Sequence, residues 1–328
     1  MGARLCEPPS VSATSAELHA FVPQERLHAL AGGRTDDAWR AEGVALIADI
    51  SGFTPLTEAL IVALGQRRGA ERLVEELDAV FTLLVAAVQE RGGSVLSLMG
   101  DAILCWFDPA RGPCSEPRIA AVDAAQAIRR TVRDTPPLTA PGIDPIRLRV
   151  RCSIAAGEGL RCLVGDPEVQ RFEILAGAVA RQVAAADAAG REGEIVCDRA
   201  TAEALPAGSV ATWREDGDPI AVLVDRPAGA GEAWPRREAT PPESLRPWAP
   251  PALAAGGHRG QMRLVSTLFV RFEGIDYGSD EAAARLDRYT RWVQGVLGAL
   301  GGTLLRVLVG DKGSSLYAGF GAVRTQED

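Results

Sequence analysis

A fold that mixes strands and helices is predicted by three observations. Short apolar runs end at turns bearing Gly or Asp. Longer stretches carry apolar residues at three- and four-residue spacing. One strand–helix–hairpin pattern occurs twice. The 328 residues exceed one average domain, so about two are expected.

The elements follow in order. Residues 1–40 carry Pro8-Pro9 and an amphipathic stretch around Leu18–Leu30, and are expected to form a leader, helical in part. Val44 to Ala48 is a continuous apolar run, as in a strand buried on both faces. It ends at Asp49, and Ser51, Gly52 and Pro55 mark a turn into a helix, with Thr54 expected as its N-cap. Leu73, Leu77, Val80, Phe81, Leu84 and Val88 make one apolar helical stripe, stopped by Gly92-Gly93. Val95–Met99 and Ala102–Phe107, joined by Gly100-Asp101, read as a tight hairpin. A helix is expected over 118–133. A half-exposed strand is expected where Leu148, Val150 and Cys152 alternate with Arg147, Arg149 and Arg151. An Ala-rich helix over 178–189 and a short strand at 194–197 follow.

Between about Arg226 and Gly260 the composition shifts, with prolines at 227, 235, 241, 242, 247, 250 and 251, and a linker is expected there. The first pattern then returns: an apolar run at 264–270, a helix at 280–300, Gly301-Gly302, a strand at 304–309, Gly310-Asp311 and a last apolar run. Tandem units are therefore expected, a leader at 1–40, a first domain at 41–225, a linker at 226–260 and an incomplete second domain at 261–328.

Composition excludes several classes. A net charge of −8 argues against a nucleic-acid binder that tracks phosphates. No run approaches the roughly 20 apolar residues of a membrane span, and no signal peptide is present, so a cytoplasmic location is expected. Six scattered cysteines with no C-x-x-C pair read as reduced thiols. Of the 35 basic residues only Lys312 is a lysine, so an arginine here carries less functional meaning than usual.

Asp49 ends a buried strand and Asp101 tips a hairpin. If the hairpin pairs beside that strand, both carboxylates meet at one sheet edge. Two carboxylates and a backbone carbonyl suit a hard cation such as Mg²⁺. The turn after Asp49 leads into a helix start, whose free N–H groups favour a phosphate. That combination points to phosphoryl or nucleotidyl transfer. Asp in a two-residue turn also serves turn geometry alone, and an Asp before Ser-Gly also serves to cap a loop.

The segments Ala-Leu-Ile-Ala-Asp49-Ile-Ser-Gly-Phe-Thr and Leu-Met-Gly-Asp101-Ala, with Gly92-Gly93 between them, resemble the metal-binding segments of class III adenylyl/guanylyl cyclases. Glu173 to Val179 and Gly193 to Val196 resemble the second half of that domain. The tandem layout and Asp311-Lys312-Gly313 are most similar to soluble, bicarbonate-type adenylyl cyclases. The resemblance implies a ferredoxin-like α+β domain that works as an intramolecular pair, converting ATP, with GTP second, to a cyclic nucleotide and pyrophosphate. It implies two Mg²⁺ or Mn²⁺ ions on Asp49, Asp101 and the Ile50 carbonyl. Gly52, Phe53 and Thr54 would meet the triphosphate through backbone N–H groups. Arg151 falls where relatives place a basic triphosphate contact, and Arg306 where they place a purine-reading lysine. Read from its strand alone, Arg151 is equally an exposed arginine beside Arg147 and Arg149.

Departures from the family pattern are specific. Val179 is present, but Ala180 and Ala184 stand at the transition-state Asn and Arg positions. Arg271 stands at the first metal position of the second copy, and Ser97 and Val183 where bicarbonate-responsive relatives carry basic residues. One active site, completed by regions beyond residue 328 that also carry any regulatory domains, is the expectation. The alternative is a degenerate module that binds nucleotide or regulates without turnover.

Overall fold

The structure, a computed structural model, describes residues 18–139, 144–215, 217–237, 240–250, 265–310 and 313–321. Asp311 and Lys312, the first 17 residues of the expected leader and residues 251–260 of the expected linker lie outside the described residues.

The chain opens with α1 (Gln24–Ala31), β1 (Ala38–Ser51), α2 (Phe53–Gln89), the hairpin strands β2 (Ser94–Met99) and β3 (Ala102–Phe107), α3 (Pro117–Asp134) and β4 (Arg149–Val164). It continues through β5 (Phe172–Ala176), α4 (Ala178–Ala189), β6 (Ile195–Asp198), α5 (Arg199–Ala202), β7 (Val210–Arg214), β8 (Ile220–Leu223) and α6 (Pro242–Leu245). Last come β9 (Ser266–Phe272), α7 (Ala282–Ala299), β10 (Gly302–Gly310) and β11 (Gly313–Phe320).

Strands β1 to β4 lie in the order β2-β3-β1-β4, with β3 and β4 both antiparallel to β1. Helix α2 joins β1 to β2 and α3 joins β3 to β4. Two β-α-β units interleave, which is the ferredoxin-like α+β arrangement. Strands β6, β8 and β7 extend the sheet beyond β4, and β5 pairs with the far half of β4. The second sheet, β10-β11-β9, repeats the order β2-β3-β1.

The apolar run in β1 is buried on both faces for a visible reason. Val44, Leu46, Ala48 and Ile50 face α2 and α3, packing on Leu56, Leu60, Leu84 and Ile128. Ala45 faces the other way, toward Trp106 and the α4 residues Val179 and Val183. The period-2 side-chain alternation of a strand thus serves two cores at once.

Three expectations change. The N-cap of α2 is Gly52, not Thr54, which lies inside the first turn. The chain reverses at Gly52 with φ of 112°, a backbone conformation open to glycine and costly for other residues. The strand expected around 148–152 runs on to Val164. Only its first residues alternate between exposed and buried, and Cys152–Ala156 and Gly159–Val164, on either side of Gly157-Glu158, are buried. Residues on either side of the first unit are also seated on it. Leu18, Val22 and Leu27 pack with Leu163, Leu245 and Trp248, and Trp234 donates its indole N–H to the Gly93 carbonyl at 2.8 Å.

The second unit sits on the far half of β4 and on β5. Leu160, Cys162, Val164 and Ile174 share a core with Leu286 and Leu297 of α7, Leu304 and Val307 of β10, and Leu316 of β11. Polar bonds frame this seat: the Gly165 N–H donates to Asp287 at 2.8 Å, and Gln294 donates to the Gln170 carbonyl at 2.7 Å. No helix among the described residues is long and apolar enough to cross a membrane.

Candidate active site

Asp49 lies near the end of β1, opposite Ala102 of β3 on one side and Arg151 of β4 on the other. Asp101 occupies the second position of the two-residue β2–β3 turn, where positive φ falls on Gly100 and not on Asp101. That pattern suits a II′ hairpin. The turn is tied to β1 by the Ile50 N–H, which donates to the Asp101 carbonyl at 2.9 Å. The sheet therefore places both acids at one end.

The two acids differ in surroundings. Asp101 is exposed. Asp49 is half-buried, and burial is the largest cause raising its carboxyl above the ordinary value. Asp101, Asp187 and Glu192 add to that rise, and the Arg151 guanidinium opposes it. Arg151 donates to Asp49 at 2.6 Å. The same guanidinium forks onto Asp187 of α4 at 2.9 and 3.0 Å, and Ser153 donates to Asp187 at 3.0 Å.

Beside Asp49 the chain turns at Gly52 into α2. No side chain caps this helix, so the first-turn N–H groups are free for an anion. Phe53 is buried and stacks on Phe81, fixing the turn from below. Thr54 is exposed beside it. Ile50 is fully buried, so only its backbone can serve a ligand.

Arg306 belongs to β10, on the second unit. Burial holds its guanidinium below the ordinary arginine range, and it makes no hydrogen bond or ion pair among the described residues. Strand β10 meets the first unit through β5 and α4. Ala180 is buried in the α4 core, with no polar group at that position. In the first unit Asp49 pairs with the residue directly after the hairpin turn. In the second, Arg271 pairs with Ser315, two residues past Gly313. The same register continued puts Glu273 in the place opposite Gly313. Arg271 and Glu273 are paired at 2.8 Å.

Two features were missed in the sequence. Asp187 braces Arg151; its signal was a lone acid in an alanine helix ending at Gly190. The second is a buried charge network. Arg161 lies between Glu25 at 3.0 Å and Glu173 at 3.1 Å, and Arg26 pairs with Glu173 at 2.6 Å. Trp39 lies under the guanidinium groups of Arg26, Arg111 and Arg161.

No protein-family model matches the chain. Over 138 residues, 42% of its length, it is 30% identical to adenylate cyclase type 10 of rabbit (Oryctolagus cuniculus) and, equally, of human. Over that stretch the chain is similar to adenylyl cyclases. The match spans 8% of the length of either cyclase. Among solved cyclase structures, adenylyl cyclase CyaB from P. aeruginosa aligns over 58% of this chain and 97% of its own, at 21% identity and a TM-score of 0.43. Guanylyl cyclase Cya2 aligns over 60% and 100%, at 21% identity and 0.47. A bacterial light-regulated adenylyl cyclase aligns over 70% and 63%, at 15% identity and 0.47.

Proposed function

We propose that this chain is the metal-binding part of a nucleotidyl cyclase that converts ATP to cyclic AMP and pyrophosphate. The observation that carries this reading is the meeting of Asp49 and Asp101 beside the uncapped start of α2. The donor set fits hard divalent ions: two carboxylates with the Ile50 carbonyl between them in sequence. Asp49 already takes a cationic partner in Arg151. Two Mg²⁺ or Mn²⁺ ions there would supply Lewis acidity toward the ribose 3′-hydroxyl and the phosphates.

The chain's own groups do the rest. The N–H groups at Gly52, Phe53 and Thr54 receive the triphosphate, helped by the positive end of α2. Arg151 adds a guanidinium at the same edge. Arg306 contacts the purine; it carries only donors, so it reads ring acceptors and not an exocyclic amine. The choice of ATP over GTP rests on the likeness to adenylate cyclase type 10. Helix α4 offers Ala180 and Ala184 at the positions where the family uses Asn and Arg, so residues 1–328 by themselves turn over slowly. The loss of such a group costs on the order of a hundredfold or more.

The test pairs two assays on the chain and on Asp49→Ala and Asp101→Ala. Each substitution removes Mn²⁺-dependent binding of a non-hydrolysable ATP analogue and leaves the unfolding free energy within about 1 kcal/mol. Full Mn²⁺-dependent binding by either variant overturns the metal assignment. Fast formation of cyclic AMP by residues 1–328 overturns the reading of Ala180 and Ala184.

A further inference from the structure

We infer that Arg151 is a resident counter-cation which a divalent ion must displace from Asp49, and that Asp187 is a positioning residue which receives Arg151 when this happens. The inference rests on the metal-binding role proposed above for Asp49. It concerns how that site is kept and opened.

Geometry fixes the resting state. Asp49 and Arg151 are cross-strand partners, so the β1–β4 register holds them face to face. The Arg151 Nη2 group is shared: it donates to Asp49 Oδ2 at 2.6 Å and to Asp187 Oδ2 at 3.0 Å. Its Nε donates to Asp187 Oδ1 at 2.9 Å, which completes a two-pronged grip from α4. Such forked pairs hold a guanidinium in a defined plane.

The grip itself is braced. Ser153 is fully buried two residues along β4 and donates to Asp187 Oδ1 at 3.0 Å. The arginine stem crosses Gly190 so closely that a Cβ there would lie 2.7 Å from Arg151 Cδ. Glycine at the end of α4 leaves the arginine its path.

An oxygen that accepts a guanidinium N–H at 2.6 Å has no room for a metal ion on the same lone pair. The two cations therefore compete for Asp49 Oδ2 and for the single negative charge of that carboxylate. When the ion wins, Arg151 keeps both prongs on Asp187, so no charge is stranded and the exchange costs little. A half-buried cation left without a partner would oppose the exchange. Without Asp187, Asp49 is the one carboxylate left to Arg151 among the described residues, and the guanidinium holds it harder. Removing Arg151 and removing Asp187 thus act in opposite directions on the same site.

The experiment measures Mn²⁺ affinity of the nucleotide-free protein by electron paramagnetic resonance of free Mn²⁺, at about 0.15 M salt so that distant charges are screened. Arg151→Gln binds Mn²⁺ roughly two- to fivefold tighter than the wild type, the worth of one partly exposed ion pair. Asp187→Asn binds it weaker by a similar factor. Ser153→Ala, which loosens Asp187 without removing a charge, shifts in the same direction by less. In the Arg151→Gln background, Asp187→Asn changes the affinity by less than about twofold, because the residue it acts through is gone. Unchanged affinity in Arg151→Gln, or additive effects in the double variant, overturns the inference. Loss of Mn²⁺ binding in Asp49→Asn with no change in Arg151→Gln sinks the competition and leaves the metal site standing. Undiminished binding in Asp49→Asn sinks both.

Discussion

Gly52 shows how much of the site depends on one backbone angle. It ends β1, caps α2 and aims the first-turn N–H groups, all at φ of 112°. A Cβ there would also come within 3.1 Å of Leu148. Gly52→Ala is expected to lower stability by about 1–2 kcal/mol, read from the urea midpoint; an unchanged midpoint would show that the turn relaxes freely. Asp49 and Asp101 were legible in the sequence because strand ends and two-residue turns leave local marks. The partners of Arg151 were not. Its alternation with Val150 and Cys152 gave the correct strand face, but its pairing with Asp187 depends on where α4 lies over the sheet. No local pattern encodes that. Thr54 was misjudged as a cap for a related reason: a Ser/Thr before Pro fits a helix start, yet the left-handed turn at Gly52 had already begun the helix.

At the scale of elements, the described parts of the stretches read as a leader and a linker, within 18–40 and 226–250, form a strap. Helix α1 is bound to β4 and β5 by the Glu25–Arg161–Glu173–Arg26 network, and His28 of α1 stacks on Trp234 at 4.8 Å between ring centres. Burial, with Arg237 and Arg34 adding to it, holds the His28 imidazole below its ordinary value of 6.5. The folded state thus prefers it neutral. As pH falls through 6.5 the unfolded chain takes up a proton that the folded chain still refuses, so stability falls until the lowered value is passed. His28→Phe keeps a ring on Trp234 and removes this contribution. Its urea midpoint should therefore fall less steeply than the wild type's between about pH 7 and 5. His19 is shifted the same way, chiefly by burial, and keeps part of the slope. Equal slopes in the two proteins would remove His28 from the account. Helices α2, α3, α4 and α7 were readable because each carries a long apolar stripe or an alanine run. The strap was not, since short amphipathic and Pro-rich stretches look the same packed or free.

For the whole molecule, the decisive element is β4. Its first half lies beside Asp49; its second half carries Leu160, Cys162 and Val164 into the core shared with α7, β10 and β11. Leu286 is fully buried in that shared core. Leu286→Ala is expected to cost about 2–5 kcal/mol. Its loss should fall on residues 282–320 first, seen as earlier hydrogen exchange in α7 and β10 than in β1. Uniform loss of protection across both units would show that they unfold as one. The repeated strand–helix–hairpin was visible in sequence because both copies keep the same apolar runs and Gly stops. The seat between the units was hidden, because a strand buried on both faces reads the same whichever element covers it.

The length of β4 also sets an order of assembly. Its pairing with β1 joins residues about a hundred positions apart or more, from Ala38 with Cys162 to Ser51 with Arg149. Closing such a distant ladder is slow compared with forming α7 or the β10–β11 hairpin, whose partners are near in sequence. The apolar face of α7 is therefore covered early only by β10 and β11, and its remaining part waits until β1 and β4 have zipped together. During synthesis the ribosome resolves this, since β1 through β5 leave the tunnel first and present a finished landing surface when Leu286 emerges. Refolding of the whole chain from denaturant loses that head start.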